Sequence, residues 1–180
     1  GIYRPVTLVM TAPTHIDDWG VVVRTIELRQ RQRDIATVKV DVPVVGYKKG
    51  VTVALSLLDA EGKELSTNQP APMRNGLASA TFYVPKAKLW SPESPYLYKL
   101  NAKVFKDNRC VDEKTVNVGI RTVRVSKEKG FELNGVTRKL KGVCLHHHLG
   151  PLGAAVNKAA LIRQIKILKD MGCDAIRTAH

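Results

Sequence analysis

No stretch of this sequence approaches the ~20 consecutive apolar residues that a membrane-spanning helix needs, so no helical span is written into it. Cysteine is scarce too. Cys110, Cys144 and Cys173 are odd in number and lack CxxC spacing, which argues against a disulfide framework or a structural zinc site. They read as small buried thiols. There is no nucleophilic triad, no Gly-rich phosphate loop and no paired histidine on a helix. No signal-peptide pattern opens the chain, and Gly1 stands where Met would. The expectation is a chain that starts inside a longer protein or after processing. Nothing within it reports a compartment.

What is present is a large apolar fraction and a strongly basic balance. Apolar residues make up 44% of the 180 positions, enough for a packed core and against global disorder. The length suits one domain with an appendage better than two full domains. The formal net charge of +13 raises nucleic acid as a partner. The distribution opposes that reading, because basic residues are scattered and the richest stretch, Arg121 to Lys141, is broken by Glu128 and Glu132. With no RNP motif, finger spacing or basic helix, a solvated surface is the better account.

The first two thirds read as short strands. Ala36, Val38, Val40 and Val42 alternate with polar residues, and Val51, Val53, Leu55 and Leu57 repeat the pattern. Asp59 to Gly62 is a turn signal, with a short strand from Lys63 to Leu65 after it. Leu77 to Val84 is a further candidate. Tyr98, Leu100, Ala102 and Val104 give another, and Cys110 to Val118 pairs with it as a hairpin. About seven strands in roughly 110 residues predict a mainly β fold, an immunoglobulin-like antiparallel sandwich. The Cys–Trp–Cys pattern of antibody domains is absent, so only the architecture is predicted.

The pattern changes near residue 125. Asn134-Gly135 is a two-residue hairpin signal between Phe131–Leu133 and Val136–Leu140. Lys141 to Leu145 reads as a buried strand. Leu161, Ile162, Ile165, Leu168 and Met171 fall at helical spacing over 158–171, with Asn157 as N-cap and Gly172 as the stop. Asp174 to Arg177 reads as a second strand. Strand, helix, strand is one parallel βαβ unit, and one such unit cannot bury both of its faces.

His146-His147-His148 follows the first of these strands, and Arg177 and His180 end the second. Side chains past the C-terminal ends of neighbouring parallel strands converge on one rim. Three readings are open: a metal site, solvated loop histidines without a role, and a substrate-binding rim. Consecutive histidines alternate sides and cannot all hold one ion. Arginine and histidine suit hydroxyls and carboxylates, which favours the rim. The carboxylates past residue 125 are Glu128, Glu132, Asp170 and Asp174. The first two precede the barrel-type strand and the last two fall on the opposite rim, so none is placed as acid or nucleophile.

Five segments, in order, resemble family 2 glycoside hydrolases. Gly1 to Val6 resembles the end of that family's sugar-binding jelly roll. Trp90-Ser91-Pro92-Glu93-Ser94-Pro95-Tyr96-Leu97-Tyr98 resembles a segment of its immunoglobulin-like domain, and Gly119-Ile120-Arg121 the exit from it. Phe131 to Gly135 with Lys141 to His146 resembles the entry into a (β/α)8 barrel. Cys173 to His180 resembles the signature on its second strand, with Asp174 in place of Asn.

The resemblance implies three segments: 1–10 from the jelly roll, 11–125 the sandwich, and 126–180 the start of a catalytic barrel. It implies a retaining enzyme acting on terminal β-linked sugars, with two glutamates roughly 5 Å apart that lie beyond His180. A β-galactosidase is the first expectation, with β-glucuronidase, β-mannosidase or a non-catalytic sandwich module as alternatives. His146, Arg177 and His180 are the implied substrate-binding residues, Arg177 near the nucleophile. No catalytic residue, metal or cofactor is expected in this chain. The expected partner is the carbohydrate substrate of the parent enzyme, with neither nucleic acid nor membrane. The exposed strand edges and helix face of 126–180 are expected to pack on the chain's own sandwich or on a second copy.

Overall fold

The computed structural model describes residues 4–29 and 35–179, with backbone alone at 68–72. The sandwich strands are β1 (His15–Ile16), β2 (Val22–Arg29), β3 (Ile35–Val45), β4 (Val51–Leu58), β5 (Glu64–Pro72), β6 (Leu77–Pro85), β7 (Tyr98–Lys106) and β8 (Arg109–Val118). One sheet runs β5-β4-β7-β8. In the other, β3 is the hub, pairing with β1, β2 and β6. Every pair is antiparallel.

The period-two alternation explains the core. Ala36, Val38, Val40 and Val42 on β3 lie under 2% exposed, as do Leu57, Leu100, Ala102, Val104 and Phe82 from the neighbouring strands. Each inward side chain is flanked by outward polar ones, so each sheet has one dry and one wet face. Ile16 joins this core, and its N–H donates to the Asp112 carboxylate on β8 at 2.7 Å.

The family-like motifs form the structural joint of this body. Gly119, Ile120 and Arg121 follow β8, and Trp90 N–H donates to the Ile120 carbonyl at 2.9 Å. The Arg121 guanidinium lies over the Trp90 ring, 4.8 Å from its centroid. A Cβ on Gly119 would stand 3.1 Å from Trp90 Cγ, so any other residue would push the indole back by a few tenths of an ångström. Asn134 completes the joint. Its side-chain carbonyl accepts from Thr122 N–H at 3.0 Å, and its amide donates to the Trp90 carbonyl at 3.0 Å. Asn134 also holds a left-handed φ of 53°.

Asn134→Ala should therefore cost about 2–4 kcal/mol, from two lost hydrogen bonds and a strained φ. Asn134→Gly should recover the φ part alone. Thermal unfolding of both variants checks this; equal, small losses would contradict it.

Three short strands, β9 (Val123–Ser126), β10 (Gly130–Leu133) and β11 (Val136–Thr137), form a small sheet in the order β11-β10-β9. The expected strand to Leu140 stops at Thr137. Beyond it Arg138 N–H still bonds the Phe131 carbonyl, and Leu140 is 55% exposed, so little burial sustains the pairing there. After it come β12 (Gly142–Leu145), a short 3-10 helix (Gly150–Leu152), α1 (Lys158–Asp170) and β13 (Ala175–Thr178). No described helix is long and apolar enough to cross a membrane.

Contact density divides the chain into two units. One holds Met10–Arg124 with Glu132–Val136. The other holds Val125–Phe131 and Thr137 onward, with the residues up to Val9. The thiols differ from expectation. Cys110 and Cys144 are exposed and Cys173 is half-buried. Cys110 sits just inside the turn end of edge strand β8, and Cys144 on the bare face of β12.

Candidate functional site

β12 and β13 are parallel neighbours, in register Gly142↔Ala175 through Cys144↔Arg177 to Leu145↔Thr178. Ala179 N–H extends the ladder to the Leu145 carbonyl at 2.9 Å. α1 supplies the crossover. Asn157 caps it, its side chain accepting from Ala160 N–H at 3.0 Å, and Gly172 leaves it with φ 85°.

Glycine at 142 is forced by this pairing. A Cβ there would lie 2.3 Å from the Ala175 carbonyl oxygen. Alternation then puts Gly142 and Cys144 on one face, with His146 next in the series. All three are exposed, whereas Val143 and Leu145 on the other face are half-buried. Arg177, opposite Cys144, shares the exposed face, and its Nη1 lies 4.0 Å from Cys144 Sγ. The ladder thus carries Arg177 and His146 to the C-terminal end of the strand pair. His147 and His148 follow, also exposed. His180 lies outside the described residues.

The opposite end is tied shut. Lys141 N–H donates to Asp174 Oδ1 at 2.7 Å, and Arg138 Nη2 is 3.8 Å from Asp174 Oδ2. Asp174 lies three positions before Arg177, roughly 10 Å along the strand, so this carboxylate is tied away from the Arg177 end. Glu128 is exposed in the turn before β10, Glu132 is buried and Asp170 ends α1. Among the described residues, no group of three His, Cys, Asp or Glu side chains could hold a metal ion.

The helix is apolar on more than one side. Leu161 and Leu168 are half-buried, while Ile162, Ile165, Ile167 and Met171 remain 42–70% exposed. No α1 residue is fully buried. A single βαβ unit provides only a small sheet face to cover, so much of this broad apolar arc stays exposed.

Residues 14–121 match the sequence profile described as glycosyl hydrolases family 2. A β-galactosidase from Bacteroides ovatus is 41% identical over 184 residues, covering 100% of this chain and 22% of the relative. A β-glucuronidase from Mus musculus is 31% identical over 186 residues, covering 100% of this chain and 26% of its own length. A crystal structure of a glycosyl hydrolase family 2 member from Bacteroides cellulosilyticus superposes with a TM-score of 0.87 at 33% identity, over 100% of this chain and 25% of that one. The chain spans about a quarter or less of the length of these relatives. With the profile match covering more than half of its residues, the chain belongs to the glycosyl hydrolases family 2.

Proposed function

We propose that this chain is part of a retaining β-glycosidase, a β-galactosidase, and that it supplies one wall of the sugar site without the carboxylates that cut. The observation behind this reading is the β12–β13 ladder. It carries Arg177 and His146 to one strand end, while Asp174 is consumed at the other. Residues 11–125 are then the bracing sandwich, 126–180 the start of the catalytic barrel, and 1–10 the edge of a preceding jelly roll.

The chemistry assigned to the wall is binding and charge control. The Arg177 guanidinium presents a planar fork of donors. Beside a carboxylate nucleophile it would hold that group ionised and oriented. His146 and His180 are proposed to hydrogen-bond sugar hydroxyls. The two glutamates that exchange the proton and form the glycosyl-enzyme would come from elsewhere in the full-length protein. In the chain taken alone, the bare residues of α1 are free to pair with a second copy.

The full-length protein should hydrolyse an aryl β-galactoside faster than the matching β-glucuronide. NMR should show the β-anomer as first product. A first-formed α-anomer would overturn the retaining assignment. Faster glucuronide turnover would overturn the choice of sugar.

A further inference from the structure

The sandwich unit carries a cleft of about 260 Å³ that the reading above does not use. It opens where β5 and β6, the outer strands of their respective sheets, lie side by side. Outer strands leave backbone donors and acceptors without strand partners.

The back wall is fixed by two tyrosines. Tyr96 Oη accepts from Ala60 N–H at 3.1 Å, and Tyr98 Oη accepts from Lys88 N–H at 2.8 Å. Their rings meet edge to face, 4.9 Å between centroids, and Lys88 Nζ lies 4.6 Å from the Tyr96 centroid. Burial pushes the Tyr98 phenol above its ordinary range, against the pull of the Lys88 N–H, so its hydroxyl stays protonated.

The front wall is open and chemically mixed. Tyr83 points outward from β6 with 66% of its surface exposed. Ser66 adds a hydroxyl, and Asp59, Glu61, Lys86 and Lys88 line the same cleft, Asp59 accepting from Lys63 N–H at 2.7 Å. Glu61 and Lys86 have no ion-pair partner among the described residues. Lys86 also holds a left-handed φ of 49°, a conformation costly for residues other than glycine, asparagine and aspartate. Such strain at a cleft with uncommitted charges is a pointer to binding.

The lining selects the class of ligand. Two carboxylates and two ammonium groups sum to no net charge, so neither an anion nor a cation gains a clear attraction. A polyhydroxyl ligand can use the donors and the acceptors at once. An exposed tyrosine face matches the apolar face of a pyranose. The volume falls below the ~300–1,000 Å³ of drug-sized sites, which suits a single ring.

We propose that this cleft is a non-catalytic binding site for one neutral sugar ring, with Tyr83 as its stacking face and Glu61 and Lys86 as its hydroxyl-binding groups. The site would hold a carbohydrate through the sandwich unit alone.

The test uses the full-length protein carrying Arg177→Ala, so that every sample has the same altered rim. Methyl β-D-galactopyranoside is the probe, and its dissociation constant is read by saturation-transfer NMR. Adding Tyr83→Ala should weaken binding about five- to ten-fold, and adding Glu61→Gln should weaken it about two- to ten-fold, the range that one ordinary hydrogen bond spans. In the otherwise unaltered protein, Tyr83→Ala should leave kcat on a small aryl glycoside unchanged. Binding that is undetectable in the Arg177→Ala protein, or equal with and without either added change, overturns the proposal. Because all samples share one rim, failure of the catalytic reading would not mimic either result.

Discussion

Replacing Arg177 with alanine in the full-length protein should lower kcat/KM on an aryl β-galactoside by about 10²–10³, the usual loss when one preorganised charge-stabilising donor is removed. In the 180-residue chain the same change should barely move stability. Arg177 is exposed, and its only described polar contact is Cys144 Sγ at 4.0 Å, so truncation leaves no buried group unpaired and the unfolding free energy should stay within about 0.5 kcal/mol. Arg177→Lys should recover only part of the rate. A lysine restores the positive charge but not the planar fork. Full recovery by lysine would mean that charge alone matters. An unchanged rate in Arg177→Ala would remove Arg177 from the site.

The largest loss of stability should come from Phe82→Ala. Phe82 is 1% exposed on the inner face of β6, opposite Val38 of β3. Its removal leaves a cavity in a core built from two sheets that cannot collapse independently, at a cost of about 3–5 kcal/mol. Domains of this kind hold about 5–15 kcal/mol in total, so the variant should unfold at markedly lower denaturant. Phe82→Leu, which keeps most of the volume, should cost less than ~1.5 kcal/mol. Urea unfolding of the two variants separates packing from chemistry. A loss under 1 kcal/mol for Phe82→Ala would show that this layer of the sandwich is not tightly packed.

The core was legible wherever alternation was uninterrupted. Val51, Val53, Leu55 and Leu57 alternate cleanly and are all buried. β2 left no such signal, because a bulge between Thr25 and Glu27 shifts its phase and exposes Ile26. β5 runs on to Pro72, well past Leu65. Its prolines obscure the strand in sequence yet are tolerated on an outer strand. β1, with two residues, is too short for any period to show.

The helix and both parallel strands were readable from spacing and caps. Asn157 acts as the cap its position suggests, and Gly172 leaves the helix with positive φ. The rim was half legible. Strand order alone puts Arg177 and His146 at one end, and the register supplies the shared face. The Asp174 anchor shows how its far-rim position is used: its carboxylate binds a backbone N–H three residues before the site begins. The sugar-sized cleft escaped sequence reading. Glu61, Lys86 and Tyr83 come from separate turns and strands, and no local pattern links them.

The most direct test of the account is an assay of the 180-residue chain beside the full-length protein on the same aryl β-galactoside. The account predicts turnover by the full-length protein and none above buffer by the 180 residues, because the two glutamates that cut are proposed to lie outside them and not to be any of Glu128, Glu132, Asp170 and Asp174, the last of which is bound at the far end of the ladder. Measurable turnover by the short chain, abolished by changing one of those four carboxylates, would contradict it.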